Sequence, residues 1–263
     1  MLTEATRAAT PLRVMISAGA SGIGQAIAQA FIDAGARVHI CDVSQAALDT
    51  AGQAMPGLAG ATLADVSDPD AVDHWFAQAL QALGGLDVLV NNAGIAGPTA
   101  GIGEVEPQDW DRTMAVNVRS QYLCTRRALA ALRASGQASI INLSSVAGRL
   151  GYPLRTPYAA SKWAVIGLTE SLALELGADD ITVNAILPGI VDSERANLVT
   201  AAKAQAMGLT VDQMEATILS NIALHRRVPM ADVAATALFL ASPAGRNYTG
   251  QRFNICAGIQ TLA

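Results

Sequence analysis

The sequence predicts an α/β fold, a doubly wound, mostly parallel seven-stranded sheet with helices on both faces. Three observations predict it. Short, β-rich apolar runs alternate with longer Ala/Leu-rich stretches of helical period, the pattern of βαβ units. A glycine-rich turn joins the first apolar run to the first helical stretch. The chain has 263 residues, 51% hydrophobic and only 15% charged, which suits a single large core better than two small ones.

Taken in order, residues 1–12 are polar, lack the apolar centre of a signal peptide, and are expected to form an N-terminal tail. The remainder, 13–263, is expected to be one domain. Its first strand, 13–17, runs through the glycine turn into a helix at 22–34. A second strand at 38–41 ends at Asp42 and precedes a helix at 44–54. The third, 61–64, ends at Asp65 and Val66 before a helix at 69–83. A fourth strand at 86–90 ends in Asn91-Asn92-Ala93-Gly94, and one long helix is expected over 107–134. The fifth, 139–143, meets Ser144 and Ser145 before a helix at 158–176. The sixth strand, 182–186, is separated from a helix at 230–242 and a last strand at 252–255 by a long stretch, with a helical substrate lid expected at about 190–227. Right-handed crossovers would align Ser17, Asp42, Asp65, Asn91 and Ser144 along the edge where such sheets bind ligands.

Composition excludes several partner classes. Net charge is −5 and the basic residues are dispersed, so no stripe invites nucleic acid. No uncharged apolar run reaches the ~18 residues of a membrane span. Cys41, Cys124 and Cys256 are odd in number and far apart, without Cys-x-x-Cys or clustered histidines; reduced thiols in a cytoplasmic protein are expected, with neither disulfide nor metal.

Ser17-Ala18-Gly19-Ala20-Ser21-Gly22-Ile23-Gly24 would let backbone approach a pyrophosphate, with the helix N-terminus supplying amide donors. Alone it is equally a tight strand-to-helix turn. Asp42, 18 residues after Gly24, stands where an acidic residue meets the adenosine ribose; it would accept from free hydroxyls and repel a 2′-phosphate. This favours NAD over NADP, and no Arg or Lys nearby offers a phosphate partner. Asp65, Val66, Asn92, Ala93 and Gly94 could frame the adenine and tie neighbouring strands.

Tyr158 and Lys162 are spaced i,i+4, which on a helix puts the ammonium beside the phenol. A phenol titrates at ~10, and a neighbouring positive charge favours the phenolate needed of a general base. With Ser145, 13 residues before Tyr158, and Asn117, these groups can hold, deprotonate and reprotonate a hydroxyl.

The ordered motifs SAGASGIG at 17–24, NNAG at 91–94, Asn117, Ser145, YAASK at 158–162 and LPGIVDS at 187–193 resemble the short-chain dehydrogenase/reductase family, in its single-domain Rossmann-like form, over about 13–258. The resemblance implies Tyr158 as general acid/base, Lys162 lowering its pKa and bonding the nicotinamide ribose, Ser145 orienting the substrate oxygen, and Asn117 holding a proton-relay water. It also implies cofactor contacts from Pro188, Gly189, Val191 and Ser193, and a homodimer or homotetramer assembled through the helices at 109–134 and 158–176. Two departures stand out: Ala18 replaces the usual first glycine, and 254–258 lacks a common acidic residue and glycine.

On the substrate side, Glu194, Arg195 and Lys203 with Met207, Leu209, Met214 and Leu219 suit a partly helical lid. Arg149 and Arg155 lie between Ser145 and Tyr158. With Arg195 they could receive a carboxylate, sulfonate or phosphate, pointing to a small hydroxy acid or sugar derivative; exposed arginines or subunit salt bridges are the plain alternative. The expected reaction is therefore NAD-dependent interconversion of a secondary alcohol and a ketone. Reduction of a 3-oxoacyl thioester with NADPH is the alternative enzyme reading, and a catalytically silent nucleotide sensor is the non-enzymatic one.

Overall fold

The computed structural model describes residues 11–262, so the tail expected at 1–12 lies almost wholly outside the described residues. Seven parallel strands form one sheet in the order β3-β2-β1-β4-β5-β6-β7. They are β1 (Arg13–Ser17), β2 (Arg37–Asp42), β3 (Leu58–Leu63), β4 (Val88–Asn91), β5 (Ser139–Leu143), β6 (Thr182–Pro188) and β7 (Arg252–Ile255). The order reverses between β1 and β4. A crevice opens beyond the carboxyl ends at such a switch point, and the motif residues lie there.

Alternation along the strands splits the core into two layers. Val14, Ile16, Val38, Ile40, Val88 and Val90 face α1 (Gly22–Asp33) and α9 (Met230–Ala241). Helix α1 buries Gly24, Ile27, Ala28 and Phe31, the i, i+3, i+4, i+7 stripe of an amphipathic helix. Met15, Cys41, Leu89, Ile140 and Val183 point the other way, toward α3 (Pro69–Leu83) and α5 (Ser120–Arg133). Helix α2 (Gln45–Ala54) flanks β2 and β3, starting at the Ser44 side chain, which accepts from the Ala47 amide at 3.2 Å.

Two expectations are corrected in detail. The helix expected over 107–134 is α4 (Pro107–Met114), then a π-helical turn at Ala115–Arg119, then α5. Within that turn Asn117 is fully buried and hydrogen-bonded to other elements, a tertiary demand that no helical periodicity reveals. Strand β3 begins earlier than expected, at Leu58, which pairs with Val38 ahead of a one-residue register slip beside His39. The stretch after β6 contains two helices, α7 (Glu194–Met207) and α8 (Val211–Ser220), the latter opened by a Thr210/Gln213 capping box. Helix α6 (Thr156–Leu176) buries Ser161, Lys162, Val165, Ile166, Thr169, Ala173 and Leu176 on one stripe. No helix among the described residues is long and apolar enough to cross a membrane. All three cysteines are free and buried.

His39 on β2 accepts from the Trp75 indole, 3.3 Å from Nε1 to Nδ1, under α3. Burial pushes its pKa down to about 4. The unfolded chain, with an ordinary histidine near 6.5, therefore binds a proton between about pH 6.5 and 4 that the folded protein refuses. The contribution to stability is complete above about 6.5 and is lost as pH falls toward 4. In urea titrations across that window, His39→Gln should lose less stability than the parent; parallel losses would show that His39 is not responsible.

Candidate active site

The glycine turn leaves β1 through Ala18, which adopts a left-handed φ of 50°, and Gly22, at 54°. Ser21 occupies the N-cap of α1 but makes no side-chain cap, leaving the first-turn amides of Gly22, Ile23 and Gly24 without that partner. An uncapped N-terminus beside a cavity fits an anionic pyrophosphate. Gly24 packs so closely on the Ala18 carbonyl and the Asn92 amide that no Cβ would fit. Gly19 donates its amide to the Cys41 carbonyl at 2.9 Å. At the end of β2, Asp42 accepts from the amides of Ser44 at 3.2 Å and Ala20 at 3.4 Å, which leans its carboxylate against the turn.

Ser17 fastens the neighbouring strand end. Its hydroxyl accepts from the amides of Asn92 and Ala93, both at 3.0 Å, while Asn92 Nδ2 donates to the carbonyls of Ser17 and Ala18, also at 3.0 Å. Asp65 turns aside to Ser67 and to Arg112 at 2.9 Å, a pair that holds its carboxyl below the ordinary range against the opposing effect of partial burial. Val66 is buried in the α3 layer.

Beyond them a cavity of about 660 Å³ brings together Ser21, Gly22, Ile23, Asn92, Gly94, Ser145, Tyr158, Lys162, Pro188, Gly189, Val191 and Ser193. Ser17, Gly19, Gly24, Asp42, Asp65, Val66, Ala93 and Asn117 are not among its lining residues. A Cβ on Gly94 would lie 3.3 Å from Asn117 Oδ1 and 3.4 Å from Lys162 Nζ, so the bare backbone leaves a cradle against both groups. Asn117 accepts from the Ile95 amide at 2.7 Å and donates to the Ile95 carbonyl at 3.0 Å and Ser161 Oγ at 2.9 Å. Its side-chain amide thus locks the loop after β4 to α6.

Lys162 is buried, with Nζ donating to the Leu143 carbonyl at 2.8 Å and lying 5.7 Å from the Tyr158 ring centre. Burial, with some repulsion from Arg195, pushes its pKa down to about 7. Ser145 caps the short turn Val146–Gly148, its Oγ accepting from Ala147 at 3.1 Å. The adjacent Ser144 donates to the Lys162 carbonyl at 2.8 Å.

The two arginines of the intervening segment diverge. Arg149 turns from the cavity toward the C-terminal segment, donating to the Ile259 carbonyl at 3.3 Å. Arg155 is only 2% exposed, lines the cavity, and places its guanidinium 5.3 Å from the Tyr158 ring. Arg195 and Lys203 line the cavity from α7, so with Arg155 and Lys162 its lining holds four basic side chains and one acid, Glu194. Tyr152 and Leu262 also line it and were missed by the motif reading. An aromatic between Ser145 and Tyr158 was a usable signal for the first; nothing in the sequence marks the second.

A family model described as enoyl-(acyl carrier protein) reductase matches residues 17–260. The chain belongs to the short-chain dehydrogenase/reductase family. Among family members, sorbitol dehydrogenase of Cereibacter sphaeroides is 36% identical, across 93% of this chain and 95% of its own. The 3-oxoacyl-(acyl-carrier-protein) reductase FabG of Thermotoga maritima is 34% identical, across 93% and 96%. A solved structure of an actinorhodin polyketide ketoreductase variant with NADPH superposes with a TM-score of 0.90 at 28% identity, covering 94% of this chain and 97% of that one.

Ala18 departs from the usual glycine of this family at a residue whose φ is left-handed. An L-residue there costs roughly 1–2 kcal/mol, partly offset by the ~0.4–1 kcal/mol that alanine saves in unfolded-chain entropy. Ala18→Gly should therefore stabilise the protein by roughly 0.5–1 kcal/mol. A denaturation midpoint that stays put or falls would contradict this.

Proposed function

We propose that the protein is an NAD-dependent oxidoreductase interconverting a secondary alcohol and a ketone on a small polar substrate, in the cytoplasm. The observation carrying this reading is that Ser145, Tyr158 and Lys162 share one cavity with the uncapped glycine turn. A bound nicotinamide dinucleotide would supply the hydride acceptor or donor. The chain's own groups handle the proton. Tyr158 takes it from the hydroxyl during oxidation and returns it during reduction, while Ser145 orients the substrate oxygen. Lys162, 5.7 Å from the centre of the phenol ring, reaches the ribose. Asn117 has its side-chain amide engaged by Ile95 and Ser161, so a relay water would meet its backbone in the π-helical turn.

Asp42 supports NAD, since a carboxylate leaning on the glycine turn repels a 2′-phosphate. Helices α7 and α8 act as the substrate lid of a single domain. Assembly into a homodimer or homotetramer through α5 and α6 would cover Tyr122, Trp163 and Leu174, which are exposed in the single chain.

Purified protein screened with NAD and NADP over sugars, hydroxy acids and secondary alcohols tests the reading. Tyr158→Phe should retain cofactor binding by fluorescence titration and lose activity at least a hundredfold; substantial residual turnover would remove Tyr158 from its role. Asp42→Ser should raise kcat/KM for NADP relative to NAD about tenfold or more. NADPH-dependent reduction of a 3-oxoacyl thioester, faster than any NAD-dependent alcohol oxidation, would replace this function with the thioester one. Tight cofactor binding without hydride transfer to any compound would favour a sensor.

A further inference from the structure

Arg155 is a buried cation that the fold does not neutralise. Its Nη2 donates to the Ala96 carbonyl at 2.6 Å, but Nε and Nη1, both buried, have no hydrogen-bond partner among the described residues. The guanidinium is flanked by aromatic rings, 5.4 Å from the centre of Tyr152 and 5.3 Å from that of Tyr158. Its position is set by local backbone: Leu154 adopts a left-handed φ of 63° and its carbonyl accepts from Ala100 at 2.9 Å. The chain thus accepts strain in a leucine immediately before the residue that enters the cavity wall. Lys203 on α7 also lies over Tyr152, 5.0 Å from its ring centre, and is held below the ordinary lysine range by burial and then by repulsion from Arg155.

Desolvating a cation while leaving its donors unanswered is unfavourable, and an oxyanion answers both demands. A solvent-facing arginine or one committed to a structural carboxylate would leave neither orphaned nitrogen at a cavity wall. Cation–π contact with the two tyrosines stabilises the charge but satisfies no N–H in the plane of the guanidinium.

We propose that Arg155 is a specificity-determining residue that receives the oxyanion of the substrate, so that the compound acted on is a small hydroxy acid or its oxo counterpart, with its carbinol at Tyr158 and its acid group at Arg155. This rests on the alcohol oxidoreductase reading above. Nε and Nη1 are buried, so an anion reaches them only as the wall, which includes Tyr152, moves aside. Because the guanidinium stands beside the ring of Tyr158, the acid group and the carbinol are close together, which limits the substrate to a compact molecule. A neutral polyol would leave the arginine unanswered and gain nothing from it.

The test separates binding from turnover. Protein saturated with NAD is titrated calorimetrically with acetate, methanesulfonate and methylphosphonate, and with acetamide as the neutral control. Wild-type protein should bind at least one of the oxyanions and not acetamide. Arg155→Gln should weaken that binding at least tenfold, and Arg155→Lys, which keeps charge without the planar fork, should fall between. The order among the three anions identifies the acid group. In parallel, kcat/KM is compared for a short hydroxy acid and its methyl ester. Arg155→Gln should lower the acid at least tenfold, mainly through KM, and the ester less than threefold. Wild-type protein that binds none of the oxyanions overturns the proposal without any variant. Equal losses on acid and ester also overturn it, since Arg155 would then act through Tyr158 or the fold. Anion binding that depends on Arg155 in a protein that oxidises no alcohol would sink the proposed function and leave the anion site standing.

Discussion

An ammonium taken out of water must be answered, and the answer given to Lys162 organises this site. The carbonyl that accepts from it belongs to Leu143, the last residue of β5, while Ser144, one residue on, donates back to the carbonyl of Lys162 itself. These reciprocal bonds weld α6 to a strand tip. Tyr158 lies one turn before the lysine and Ser145 two residues beyond Leu143, so neither can drift without breaking a buried hydrogen bond. Beneath them the amide of Asn91 donates to Asn142 and Thr125, and Asn142 donates to Thr169, joining β4, β5, α5 and α6 in one buried polar chain. A network of this kind is costly if any member is lost, which makes the separation of the helices a fixed quantity.

The same economy governs the cofactor side. Asn92 donates twice to Ser17, from its backbone and side-chain amides, across the ends of β1 and β4, the two strands that flank the switch point. The crevice is therefore held open by strand ends that are themselves cross-linked. The glycine turn is then free to present backbone, and Asp42 leans in from β2 to give that turn its electrostatic character.

Strand-tip residues are legible in the sequence because each combines a short apolar run with a polar or small residue at its end, and Asp42, Asn92 and Ser145 lie at or just beyond the ends of β2, β4 and β5, whereas Tyr158 is marked by its spacing to Lys162 on α6. Adenine framing by Asp65 is the weaker inference: its carboxylate is occupied by Ser67 and Arg112, a pairing across 47 residues that no local pattern encodes. The π-helical turn was illegible for the same reason, being imposed by the partners of Asn117. Arg149 and Arg155 could not be told apart from sequence, since both lie in one segment between two catalytic candidates. The three-residue turn Val146–Gly148 and the left-handed Leu154 send one toward the C-terminal segment and the other into the cavity. The stretch after β6 reads as partly helical in the sequence, but its division into α7 and α8 depends on Gly208, a left-handed C-cap, and on the Thr210 cap that restarts the chain.

Burial of the three cysteines gives the protein an unreactive thiol background. Burial pushes Cys124 up to about 12 and Cys41 well above its ordinary value, so thiolate is scarce at both, and Cys256 is also shielded from solvent. The native chain can thus be treated as cysteine-silent toward maleimides and spin labels while it stays folded. A single exposed cysteine introduced by Met207→Cys, at the end of α7, would carry the probe alone. Distance or mobility measurements could then report whether α7 moves relative to the cavity, without first removing Cys41, Cys124 or Cys256 from the core.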